Sequence, residues 1–116
     1  MRSSAALPYG MSYVLPDSKH FEAPVYGTVF ASRSAALARL SVGDPLLIVP
    51  DPEGVDNPSV WIHATGGDVV GHLAPDLNRW MVGRLLRGAR YSAHVVSIGA
   101  PGTESWKRLV IAIRAS

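Results

Sequence analysis

The residues able to do chemistry in this chain are four histidines, nine carboxylates and eleven Lys/Arg, with no cysteine. The absence of cysteine removes disulfides, thiolate metal sites and a thiol nucleophile. His63, His72 and Asp56 flank one predicted hairpin and come nearest to a metal-ligand set. No HxH or HxxxH pair accompanies them, so they read as ordinary strand and loop residues and no metal is expected. Asp51, Glu53 and Asp56 are types that do acid–base work. They fall in a Gly/Pro loop, however, where carboxylates are usually just solvated. The chain has no GxGxxG, P-loop or GxSxG motif, so nucleotide folds and α/β-hydrolases lack support. We therefore assign no catalytic residue and no cofactor, and expect a non-enzymatic protein.

Cations and flat rings are better represented. Binding of nucleic acid needs positive groups for phosphate and aromatic faces for bases. Arg33, Arg79, Lys107 and Arg108 are the candidate cations, and Phe30, Trp61, Tyr91 and Trp106 the candidate platforms. The Trp106-Lys107-Arg108 run offers ring and charge together. Charge is also unevenly spread. Residues 1–76 hold four Lys/Arg against eight Asp/Glu, whereas residues 77–116 hold seven against Glu104 alone. A basic face of that kind favours phosphate, although arginines on solvated exteriors produce the same count.

The elements that must hold these groups follow from periodicity. Residues 1–24 show no period and are expected to form an irregular arm, with one domain over residues 25–116. Residues 23–31 read as the first strand, and Gly27 within it signals a bulge or close backbone approach. Residues 32–40 suit a short helix, with Ser32 or Ser34 as N-cap. After a turn at Gly43-Asp44, residues 46–49 form an apolar strand between two prolines. Two further strands, one over 59–63 and one ending at Leu73, flank the Gly66-Gly67 turn and make a hairpin. Alternation turns Val60 and Ile62 inward and Trp61 and His63 outward.

Pro75 and Asp76 open a helix whose Leu77, Trp80, Met81 and Leu85 face the core and whose end is marked by Gly88. Gly83 within it is expected to admit a neighbouring strand. Strands over residues 90–98 and 106–113 follow, the second with Leu109, Ile111 and Ile113 on one face. The order β-β-β-β-α-β-β with Gly/Pro turns predicts a mainly β fold, an OB-like antiparallel barrel of five or six strands with one helix crossing it.

The chain has 116 residues, enough for one core and too few for two. Hydrophobic content of 47% and charged content of 17% place it with globular rather than disordered chains. No apolar run reaches the roughly 20 residues needed to cross a bilayer, and the first residues lack the continuous apolar segment of a signal peptide. The expectation is a cytoplasmic protein with no membrane partner.

The ordered string Leu40-x-x-Gly43-Asp44, Leu46-x-Ile48, Asp51-Pro52, Asp56-Asn57-Pro58-x-Val60, Gly67 and Val70-Gly71-His72-Leu73 resembles the HIRAN domain, in its stand-alone bacterial form. Leu85-Leu86-x-Gly88 and the Val95-Val96 strand extend the likeness, which covers about residues 25–113. HIRAN domains are OB-like barrels, often joined to helicase-type translocases, where they hold the 3′ end of single-stranded DNA. The resemblance implies that Asp56 sits near a terminal 3′-hydroxyl, that His72 faces a backbone phosphate, that Phe30 supports a base, and that Trp106 lies near a second aromatic position. With phosphate contacts from Arg33, Arg79 and Lys107, this makes a DNA-binding module acting in DNA repair beside a separate helicase or repair protein. The chain departs from the family at Val29, where an arginine is usual and Arg33 must substitute. It departs again at Val55, in place of an aromatic, and at Pro58, in place of an asparagine. A protein-interaction adaptor, binding through exposed aromatics such as Trp61 and an edge strand, is the alternative.

Overall fold

The computed structural model describes residues 19–30, 32–51 and 60–116. Its elements run β1 (His20–Pro24), α1 (Arg33–Ala38), β2 (Pro45–Pro50), β3 (Val60–Ala64), β4 (Val69–His72), α2 (Pro75–Leu86), β5 (Tyr91–Ile98), α3 (Ser105–Arg108) and β6 (Leu109–Ala115). The six strands form one sheet in the order β1-β6-β5-β2-β3-β4, every neighbour antiparallel. The sheet curls until its two ends meet. Just beyond β1, Tyr26 and His72 exchange both backbone hydrogen bonds, at 2.8 and 2.9 Å. The result is the OB-like antiparallel barrel that the pattern of short strands predicts.

Period-two alternation drives this folding. Phe21 and Ala23 on β1, Val60 and Ile62 on β3, and Leu109, Ile111 and Ile113 on β6 all turn into the core and are buried. A register irregularity between Val95 and Ser97 of β5 bends the long β5–β6 pair, as barrel curvature requires. Helix α2 starts at Pro75 as expected and packs against β2 and β3, burying Leu77 and Met81. Trp80 and Leu85 pack partly buried on the same core. Asn78 is the polar exception on that face. Its side chain accepts from the Val60 N–H at 3.1 Å and donates to the Leu73 carbonyl at 3.0 Å. One amide thereby ties α2 to the start of β3 and the end of β4, and satisfies two buried backbone groups.

Four local expectations are corrected. The first strand occupies residues 20–24, inside the stretch expected to be an irregular arm, because Phe21 and Ala23 alternate inward and pair along β6. It does not reach Phe30. Gly27 adopts φ +73°, and the chain turns at Thr28 and Val29. The last strand begins at Leu109 rather than at residue 106, since Ser105–Arg108 coil into one helical turn closed by a Lys107 N–H to Glu104 carbonyl bond of 2.8 Å. Gly83 admits no strand, and the nearest group to its missing side chain is Arg87 of its own helix, 3.2 Å away. Residues 1–18 lie outside the described residues.

At Gly71 the closing strands come together most tightly. A Cβ there would lie 2.4 Å from the Tyr26 carbonyl oxygen and 2.6 Å from a Val25 methyl, so only glycine lets β4 approach the chain beyond β1. Gly71→Ala should lower stability by about 3 kcal/mol through overpacking. Gly66→Ala, at a position with nothing within 4 Å, should change it by less than about 1 kcal/mol. Thermal denaturation of the two variants checks the contrast. Asn78→Leu should cost about 1–3 kcal/mol by stranding the buried Val60 N–H, while the Leu73 carbonyl keeps its bond from the His72 ring, a loss that denaturant titration measures.

Candidate nucleic-acid interface

The barrel closure assembles the site. Pairing of Tyr26 with His72 sets Gly27 against the imidazole, so closely that a Cβ on Gly27 would stand 2.7 Å from His72 Nε2. The antiparallel register places Trp61 opposite His72, and their rings meet edge to face at 5.6 Å. Helix α1 packs beside β4 and delivers Arg33 into the same cluster. Arg33 Nη1 donates to the Gly27 carbonyl at 3.0 Å. Its guanidinium carbon lies 5.0 Å from the Trp61 ring centre and 5.6 Å from that of Phe30. Each such cation–π contact contributes about 0.5–1 kcal/mol where exposed and more where shielded.

Arg33, Trp61 and His72 are half-buried, whereas Phe30 and Val29 are 60% and 72% exposed. Beside Trp61 opens a cleft of about 460 Å³ whose walls include Arg33, Val49, Asp51, His63 and Val69. His72 has a defined tautomer in its neutral form. Its Nδ1 lies 3.0 Å from the Leu73 carbonyl, an oxygen that can only accept, so Nδ1 carries the proton and Nε2 offers a lone pair. Protonation would turn Nε2 into a donor for an anion.

The structure divides the site residues expected from sequence. It gathers Phe30, Arg33 and His72 around Trp61. Trp106 and Lys107 form a separate pair on α3, with the ammonium 4.6 Å from the indole centre and 3.6 Å from Glu104. They share a helical turn, not a strand, and α3 packs on β1, β5 and β6 rather than on β3 and β4. Arg79 projects from α2 and is paired with Asp76 at 2.7 Å, an exposed contact of small energy that leaves the guanidinium accessible. Arg108 is drawn back onto the Gly99 carbonyl. Tyr91 is half-buried beside Trp80, its ring 6.3 Å away, and offers no free platform. Asp56, with Val55 and Pro58, falls within residues 52–59, outside the described residues. Among the described residues, no three His, Asp or Glu side chains come together.

Sequence reasoning recognised Trp61 as an outward ring but did not join it to His72. The link depends on β3–β4 register, which shifts between Ile62 and His63. Tyr26 escaped notice as well, and its phenol is pushed above the ordinary value of 10.0 by burial.

No protein-family model and no curated protein matches this chain. The fold does have a counterpart among solved structures. A protein from Lactobacillus plantarum, determined by structural genomics, is similar with a TM-score of 0.59 at 15% identity, over 84% of this chain and 93% of that one. That likeness shows a shared fold.

A raised phenol pKa in the folded protein links Tyr26 to alkaline stability. The contribution is fully present below the unfolded value near 10.0 and is lost as pH rises through the higher folded value. Tyr26 should therefore ionise above the ordinary value of 10.0 in an ultraviolet titration. Tyr26→Phe should remove that late step and lessen the loss of stability at high pH.

Proposed function

We propose that this chain is a small non-enzymatic module that binds single-stranded nucleic acid, with single-stranded DNA and its 3′ end as the ligand. The observation that carries the reading is the Arg33 guanidinium seated against Trp61 and Phe30 beside His72. It combines the two groups that single strands need, a fixed positive charge for phosphate and flat faces for bases. On the resemblance to HIRAN domains, Arg33 would substitute for the family arginine missing at Val29. The basic last third of the chain adds long-range attraction for a polyanion. Phe30 supplies an exposed base platform, His72 a phosphate contact and Asp56 the acceptor for a terminal hydroxyl, roles that rest on the resemblance to HIRAN domains. Arg79 and the Trp106-Lys107 pair would meet the strand farther along the surface. A helicase or repair protein would be the working partner.

The adaptor reading draws on one observation, the neighbouring exposed side chains of Val29 and Phe30. Nearby positive charge favours nucleic acid over a neutral protein surface.

Fluorescence anisotropy of labelled single-stranded oligonucleotides tests the proposal. Binding should weaken steeply with added salt. Arg33→Ala should lower affinity about tenfold, and Trp61→Ala by about 1–3 kcal/mol, the usual contribution of one stacked base. A 3′-phosphate should weaken binding relative to a free 3′-hydroxyl, and Asp56→Ala should erase that difference. Affinity that ignores both salt and Arg33 would refute the mechanism, and capture of a protein partner with no oligonucleotide bound would establish the adaptor instead.

A further inference from the structure

The cleft beside Trp61 carries a polarity that the phosphate and stacking contacts do not use. Val49 pairs with Trp61 across β2 and β3, and Asp51, two residues on, lines the cleft that the indole walls. Asp51 is half-buried and has no hydrogen-bond or ion-pair partner among the described residues. An ionised carboxylate there can only accept hydrogen bonds. The Arg33 guanidinium, 5.0 Å from the centre of the Trp61 ring, lines the same cleft, and Val49 and Val69 supply apolar sides. Such a cleft, of about 460 Å³, suits a flat guest with a donor-bearing edge.

We infer that this cleft is a guanine subsite, in which the base lies against the Trp61–Arg33 wall and Asp51 accepts from its N1–H and exocyclic N2–H. The inference rests on the single-strand-binding reading and specifies which base it prefers. Guanine is the one common base with two adjacent donors on its Watson–Crick edge, and these match the two oxygens of a carboxylate. Adenine and cytosine set their amino group beside a ring-nitrogen acceptor, and thymine flanks its N–H with two carbonyls. Each of those edges turns a lone pair toward Asp51. Guanine is also an electron-rich purine, which strengthens stacking against a guanidinium.

The test is anisotropy with short oligothymidine strands that carry a single central guanine, adenine, cytosine or hypoxanthine, the last lacking the exocyclic amino group of guanine. The guanine strand should bind the wild-type protein about tenfold tighter than plain oligothymidine, the discrimination expected of one bidentate contact. Hypoxanthine should lose most of that gain, and 7-deazaguanine, altered only on the far edge, should keep it. Asp51→Asn should bind oligothymidine as the wild type does while losing the guanine preference. Equal affinity for guanine and hypoxanthine would overturn the inference, as would a preference that persists in Asp51→Asn. Binding of every strand without base preference would overturn the guanine subsite alone, whereas no binding of any strand would overturn the single-strand reading with it. The hypoxanthine comparison needs no variant and so stands even if Asp51→Asn fails to fold.

Discussion

The pair of backbone hydrogen bonds between Tyr26 and His72 is the constraint on which the rest of this structure depends. A six-stranded sheet with free edges would expose unpaired N–H and C=O groups at both ends and leave its inner face partly wet. Bringing the chain beyond β1 onto β4 closes the curl and seals Val25, Val60 and Val70 completely from solvent. The closure holds only because position 71 has no side chain. The Tyr26 carbonyl occupies the space where a Cβ would stand.

The same closure creates the candidate site. Once Tyr26 is paired, the chain must leave the sheet, and it does so at Gly27 with a positive φ that presents the Gly27 carbonyl to Arg33. A flexible, strongly hydrated side chain is thereby pinned at one end by a hydrogen bond and along its plane by two rings. Guanidinium suits this role better than an ammonium would, because its planar fork donates in the plane while its faces stack. The cost of ordering Arg33 is met within the folded protein, so a ligand finds the positive charge already positioned. Trp61 and His72 are fixed in turn by the strand pairing opposite which they sit.

Helix α2 contributes stability to the barrel. Leu77 and Met81 fill the core, and Asn78 satisfies backbone groups where strands β3 and β4 meet the helix. Trp80 packs between the rings of Phe21 and Tyr91 near that helix, with Arg84 over Trp80 at 4.7 Å. Among the described residues, Phe21, Trp80 and Tyr91 thus form a structural group around α2 and Phe30 and Trp61 a surface group around Arg33, while Trp106 stands apart on α3. Residue type does not distinguish the two, because burial is decided by which strand lies opposite.

The sequence by itself determined the class of fold, the hairpin around Gly66-Gly67, the helix opened by Pro75 and the inward faces of β3 and β6. All of these rest on local periodicity and on backbone preferences of Gly and Pro, which act within a few residues. It also marked Gly27 as a bulge or a close backbone approach, and the structure sets the His72 imidazole there, beyond the end of β1. Only the tertiary structure decided that the chain turns before Phe30, that Trp106 and Lys107 stand on a helical turn, and that Arg33, Trp61 and His72 meet. The first and last of those outcomes depend on the Tyr26–His72 closure and on a register shift between Ile62 and His63. Pairing across long loops is set by the fit of the whole barrel, and a shift of one residue turns every later side chain to the opposite face.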